Sequence, residues 1–129
     1  MPTKKNIDLK LSAAERQQLR RNKLTKQALV DFAPDEIAAL LGASLLRAQE
    51  IKALAAFQSI PSIGVKLAED LIFMGYHSLA DLKDKEGPAL IHEYELKKGY
   101  WIDSCVEDQM RLVVHYARTG DTTKKLWDF

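Results

Sequence analysis

Apolar residues recur at helical spacing along almost the whole chain, broken at intervals by glycine, proline and cap residues, and no strand-like alternation competes with that period. Ser12 followed three residues later by Glu15 has the form of a capping box and predicts a helix over 12–22. Leu19, Lys23, Leu24 and Ala28 keep the helical spacing through Phe32, with Thr25 as a second cap, so this stretch reads as one bent helix or as two. Pro34 with Asp35 and Glu36 suits a helix start that Gly42 stops, with Ile37, Leu40 and Leu41 inward. Ser44 then caps a helix from Leu45 to Phe57, whose buried face is expected to carry Leu46, Ile51, Leu54 and Phe57. Leu67, Leu71, Ile72 and Met74 mark a helix that begins near Gly64 and ends at Gly75, and Ser78–Asp81 predicts a short helical turn. Gly87-Pro88 opens another helix, stopped at Gly99. Asp103 caps the last, which turns Val106, Met110, Val113, Val114 and Ala117 inward and ends near Gly120. The expected fold class is all-α, a compact helical domain.

Length and composition fit that picture. A chain of 129 residues, 47% hydrophobic and 29% charged, is the size of one domain with one core. Residues 1–11 show no helical period and are expected to form a mobile basic arm, leaving 12–129 as a single helical domain with its central unit at about 45–118. No apolar run approaches the roughly 18 residues of a membrane span, and no secretory leader is visible. The single cysteine, Cys105, cannot form an internal disulfide, so a cytoplasmic protein is expected. The formal charge of +1 hides an asymmetry: residues 1–27 hold eight basic and two acidic side chains, against eleven and sixteen in the remainder. That division suits a basic arm that meets a polyanion beside a body that does not attract one; a solvated basic tail is the plainer alternative.

The chemistry concentrates at Ile60-Pro61-Ser62-Ile63-Gly64-Val65-Lys66-Leu67-Ala68, a tight corner between two predicted helices. Pro61 presets φ for a turn, Gly64 lets a foreign backbone come close, and Lys66 puts a cation beside a helix start whose first N–H groups lack intrahelical partners. The stretch resembles the helix-hairpin-helix motif of DNA repair and recombination proteins, in which a hydrophobic-x-Gly-hydrophobic-Gly run is followed two residues later by lysine. Ile60, Ile63, Gly64 and Lys66 match; Ser62 stands where the motif has its first glycine. Positive φ at that position costs glycine nothing and serine about 1 kcal/mol, so either Ser62 accepts the strain or the turn changes type. The resemblance implies phosphate binding by Ser62, Ile63, Gly64 and Lys66, through backbone N–H groups and the lysine charge.

Two other arrangements compete. Asp35 to Ser44 also has the form of the first helix and turn of a helix-turn-helix reader, but the following helix is mostly apolar and offers only Arg47, Gln49 and Lys52 to base edges. Gly99-Tyr100-Trp101-Ile102-Asp103 repeats the helix–corner–helix logic with one glycine, no proline, and an aspartate where a phosphate would be repelled, and reads as a degenerate, structural second unit. From Ile60 onward, Gly75-Tyr76-His77-Ser78-Leu79-Ala80-Asp81-Leu82, Gly99, Asp103, Cys105-Val106, Arg111 and Tyr116-Ala117 resemble the pathogenicity-locus family of small bacterial helix-hairpin-helix proteins. Members are sometimes labelled mitomycin-resistance proteins, which implies a part in DNA repair or damage resistance. Several members carry a second cysteine where this chain has Glu95, which removes a redox or metal pair with Cys105.

Catalysis has little to stand on. His77, His92 and His115 form no local arrangement with Cys105, which lies on the apolar side of its predicted helix and reads as a buried structural thiol; a thiol-dependent enzyme is the weakest of three readings. No metal-ligand spacing and no nucleotide loop occurs, so no enzyme, metal or cofactor is expected. Tyr94 reads as a core residue. Trp127 and Phe129 must fold back, dock on another protein or stay exposed. The function expected is a grip on the DNA phosphate backbone that does not read sequence. The alternative is a non-enzymatic protein-interaction module with an architectural hairpin and an aromatic tail that binds a protein through Trp127 and Phe129. The oligomeric state is open.

Overall fold

The computed structural model describes residues 7–60, 62–99 and 104–120, the side chains of 104 and 105 excepted. The described residues are all helical or connecting, with no strand. Among the described residues six α-helices run in order: α1 (Ala13–Arg21), α2 (Pro34–Leu41), α3 (Leu45–Gln58), α4 (Val65–Phe73), α5 (Gly87–Lys98) and α6 (Ser104–Thr119). Short 3-10 turns occupy Lys26–Asp31 and Ala80–Leu82.

Local chemistry fixes the boundaries. The Ser12–Glu15 capping box forms in both directions, with Glu15 N–H on Ser12 Oγ at 3.1 Å and Ser12 N–H on Glu15 Oε1 at 2.8 Å. The stretch to Phe32 is two elements rather than one bent helix, because Lys23 takes a left-handed conformation that ends α1 before the 3-10 turn begins. Thr25 stands at the start of that turn, but its side chain makes no capping bond. Gly42 closes α2 and Ser44 caps α3 through the Arg47 N–H at 3.1 Å.

Helix α3 is the hub: α2, α4 and the Lys26–Asp31 turn all pack on it, while α5 and α6 pack on each other. Ala48, Ile51, Ala53, Leu54, Ala55, Phe57 and Gln58 are buried, so the second half of α3 is covered on nearly every side. The small Ala53 and Ala55 let neighbours approach closely, which dilutes the one-sided apolar stripe a surface helix would show. Leu46 is the exception to the expected buried face. It is 63% exposed beside an exposed Leu45, because the inward stripe runs through Ala48 and Ile51, and Leu46 lies roughly 200° round the helix from Ala48.

The mobile arm expected over residues 1–11 is not what residues 7–11 form. Ile7 and Leu9 are buried in the core and Leu11 packs against it, while Asp8 and Lys10 face outward. The physical reason is an alternation, Ile7-Asp8-Leu9-Lys10-Leu11, whose apolar members pack on the core while Asp8 and Lys10, the latter in a left-handed conformation (φ +52), stay outside. Gln58 secures it: Asp8 N–H donates to Gln58 Oε1 at 2.9 Å, and Gln58 Nε2 donates to Asp8 O at 2.6 Å.

Candidate functional site

The corner between α3 and α4 is built from a buried base and an exposed tip. Ile60 and Ile63 are fully buried, as the inward setting of Ile63 required, whereas Ser62, Gly64 and Lys66 are exposed. Ile63 N–H donates to Ile60 O at 3.2 Å, which closes a four-residue turn. Ser62 sits in that turn at φ +72, so the serine accepts the left-handed conformation and the turn does not change type to avoid it. Pro61 lies outside the described residues.

Gly64 starts α4 from extended backbone (φ −100, ψ −175), which any residue can adopt. Among the described residues, a Cβ added there would meet nothing within 4 Å. Neither strain nor packing against the described residues therefore calls for glycine at 64. No side chain caps α4, and its first ladder bond is Ala68 N–H to Gly64 O at 3.2 Å, so the N–H groups of Val65, Lys66 and Leu67 precede the ladder. Ile63 contributes packing, its N–H being held by Ile60, and the donors of the site belong to Gly64 and the first turn of α4. One turn further on, the exposed Glu69 and half-buried Asp70 bring negative charge, which limits any anion to the very start of the helix.

At the far end of α4, Phe73 is 50% exposed. Lys97 Nζ and Lys98 Nζ lie 5.5 and 4.7 Å from its ring centroid, and Lys97 also donates to Phe73 O at 3.1 Å. Sequence reading missed this cluster; its signal was the paired lysines in the last turn of α5, where they also complement the helix dipole. Tyr94 beneath them is buried, as expected of a core residue. The second corner is described only to Gly99, which closes α5 at φ +78; Tyr100, Trp101, Ile102 and Asp103 lie outside the described residues, as do the Cys105 side chain, Trp127 and Phe129.

The polar residues offered by α3 as a base reader are mostly spent inside the fold. Arg47 grips Glu15 with two bonds of 3.0 Å and also donates to Lys10 O at 2.8 Å. Lys52 Nζ donates to Val30 O. The bond to Arg47 holds the Glu15 carboxyl below the usual carboxylate range. Elsewhere, burial and the neighbouring Glu93 carboxylate push the Tyr76 phenol up to about 12, with the hydroxyl 2.7 Å from Glu93 Oε1. Among the described residues no three potential metal ligands gather, and no described helix is long and apolar enough to cross a membrane.

Fold and corner together define a small all-helical domain organised on one tightly turned helix pair. The sequence model of the pathogenicity-locus (Cdd1) family matches residues 50–129, and the chain belongs to that family. The match starts within α3, takes in the whole corner, and leaves α1 and α2 outside. No curated protein and no solved structure is significantly similar to the chain.

Proposed function

We propose that α3, the Ile60–Gly64 turn and α4 form a helix-hairpin-helix that grips the phosphate backbone of DNA without reading its sequence, in a cytoplasmic binding module that performs no catalysis. The observation that carries this reading is the turn itself. Ser62 holds φ +72 although an L-residue pays about 1 kcal/mol there, and the conformation presents an uncapped helix start at the surface. Gly64 and the first turn of α4 offer N–H donors to phosphate oxygens, Lys66 supplies a positive charge, and the open space around Gly64 leaves room for a sugar-phosphate strand. Basic residues of α1 and the segment before it add attraction that carries no sequence information. A part in DNA repair or damage resistance is consistent with this grip.

The competing reading keeps the hairpin as architecture and gives the protein a protein partner; the exposed Leu45 and Leu46 favour it. Binding of fluorescent duplex DNA to the parent, Gly64→Val and Lys66→Glu separates the two. Weaker binding by both variants with unchanged helix content supports the backbone grip, by a steric route at 64 and an electrostatic one at 66. Equal affinity of all three folded proteins leaves the hairpin an architectural corner.

A further inference from the structure

We propose that Phe73, with Lys97 and Lys98, is a stacking site for an unpaired nucleobase, which gives the protein a preference for DNA carrying a single-stranded end; this rests on the DNA-backbone reading above. Phe73 stands half exposed at a helix end, and the groups that stand over its ring define what it can receive. These are two ammonium groups, at 4.7 and 5.5 Å from the centroid, on flexible stems. Lysines over a ring hold it weakly at an exposed site, and they are the groups a phosphate would draw away. An occupant that is aromatic on one side and anionic on the other satisfies both partners at once: its base takes the ring face and its phosphates take the lysines. A nucleotide of a single strand has that composition.

Position supports the same occupant. The start and end of α4 are held in one rigid helix, and from Gly64 to Phe73 the rise is about 14 Å at 1.5 Å per residue. That equals about four base-pair steps of 3.4 Å along one strand. A duplex end gripped at the hairpin therefore leaves its continuing single strand within reach of the ring. The groove between α3 and α4 that Phe73 also borders carries mixed charge, Lys10 and Arg47 with Glu50 and Glu69, whereas the groups over the ring itself are the two lysines of α5.

The test uses the full chain with a blunt duplex and the same duplex bearing an oligothymidylate tail, both fluorescent. The parent is expected to bind the tailed duplex more tightly. Phe73→Ala loses about tenfold on the tailed duplex and nothing on the blunt one, in line with base–aromatic stacking. Phe73→Leu, which keeps apolar bulk and packing but has no π-face, is expected to lose affinity in the same way, and Phe73→Trp to retain it. Lys97→Gln with Lys98→Gln reduces the salt dependence for the tailed duplex alone. If Phe73→Leu binds the tailed duplex as the parent does, or if Phe73→Ala weakens both duplexes equally, the stacking site is overturned while the hairpin grip survives. A parent that binds neither duplex removes both readings, and a Gly64→Val variant that binds the blunt duplex as well as the parent removes the grip alone.

Discussion

The carboxamide of Gln58 hydrogen-bonds in both directions to the backbone of Asp8, and so joins the last turn of α3 to a segment fifty residues earlier. Gln58 is 3% exposed and its Nε2 also reaches Leu54 O at 3.1 Å, so the amide has no solvent to fall back on. It stands two residues before Ile60, which couples the N-terminal segment to the base of the hairpin.

Gln58→Leu is therefore expected to cost about 2–3 kcal/mol, since it leaves the Asp8 N–H and C=O without their partner. Urea unfolding gives the magnitude. Hydrogen exchange should show Ile7 to Leu9 losing protection before the hairpin does, and protection unchanged at these residues would mean that burial of Ile7 and Leu9 alone holds the segment.

The Glu15–Arg47 pair predicts a defined acid response. The folded carboxyl is held below its unfolded value, so its contribution is fully present above about pH 4.3 and is lost as the pH falls through the depressed folded value. Glu15→Gln should be less stable than the parent by about 1–2 kcal/mol at pH 7, with the gap closing under acid. Urea midpoints measured from neutral to acid pH decide it; a gap that stays constant would mean that the charge contributes nothing.

Tyr76 predicts the opposite limb. Its folded value of about 12 lies above the unfolded phenol at about 10, so its contribution is present below pH 10 and is lost as the pH rises through 12. Tyr76→Phe should cost about 1 kcal/mol at neutral pH through the lost bond to Glu93, and the gap to the parent should close in alkali. Ultraviolet titration of the phenols alongside thermal melts provides the check.

Much of the helical framework could be read from the chain because its determinants are local. The Ser12–Glu15 box, Pro34 at the first turn of α2, Ser44 ahead of α3 and the glycines at 42, 75 and 99 each set a boundary within a few residues of themselves. The inward setting of Ile63 was legible for the same reason. What escaped depends on distant partners. Nothing near Leu46 in sequence tells which face of α3 the other elements will cover, and Gln58 looks like any exposed helix-end amide until Asp8 arrives. The alternation of Ile7, Leu9 and Leu11 was there to be read, but five residues of it carry little weight beside a basic, capless terminus. At the hairpin, sequence could pose the question of Ser62 but not answer it, because the cost of positive φ is small enough for the surrounding packing to decide.

Ser62→Gly follows from that balance. The strain of a serine at φ +72 is relieved, while the more flexible unfolded chain offsets part of the gain, so stability should rise by no more than about 1 kcal/mol. Thermal melts of Ser62→Gly and Ser62→Val test it, and the β-branched variant is expected to fall clearly below the parent. A Val variant as stable as the parent would mean that residue 62 does not hold this conformation in solution.

Salt dependence tests how many charges the grip uses. Three to five phosphate contacts imply a log–log slope of roughly −3 to −4.5 on duplex DNA, at about −0.9 per contact. Removing residues 1–11 outright would confound the measurement, because Ile7 and Leu9 belong to the core. Charge removal at Lys4 and Lys5, as Lys4→Gln with Lys5→Gln, takes away two cations and spares the buried pair. If the basic residues ahead of the core touch DNA, this double variant should bind with a slope shallower by up to about two units on the same principle. An unchanged slope would leave the grip to the hairpin and α1, and strong preference for one duplex sequence over another would contradict a phosphate-only grip and turn attention to Gln49, the polar residue of α3 that remains exposed.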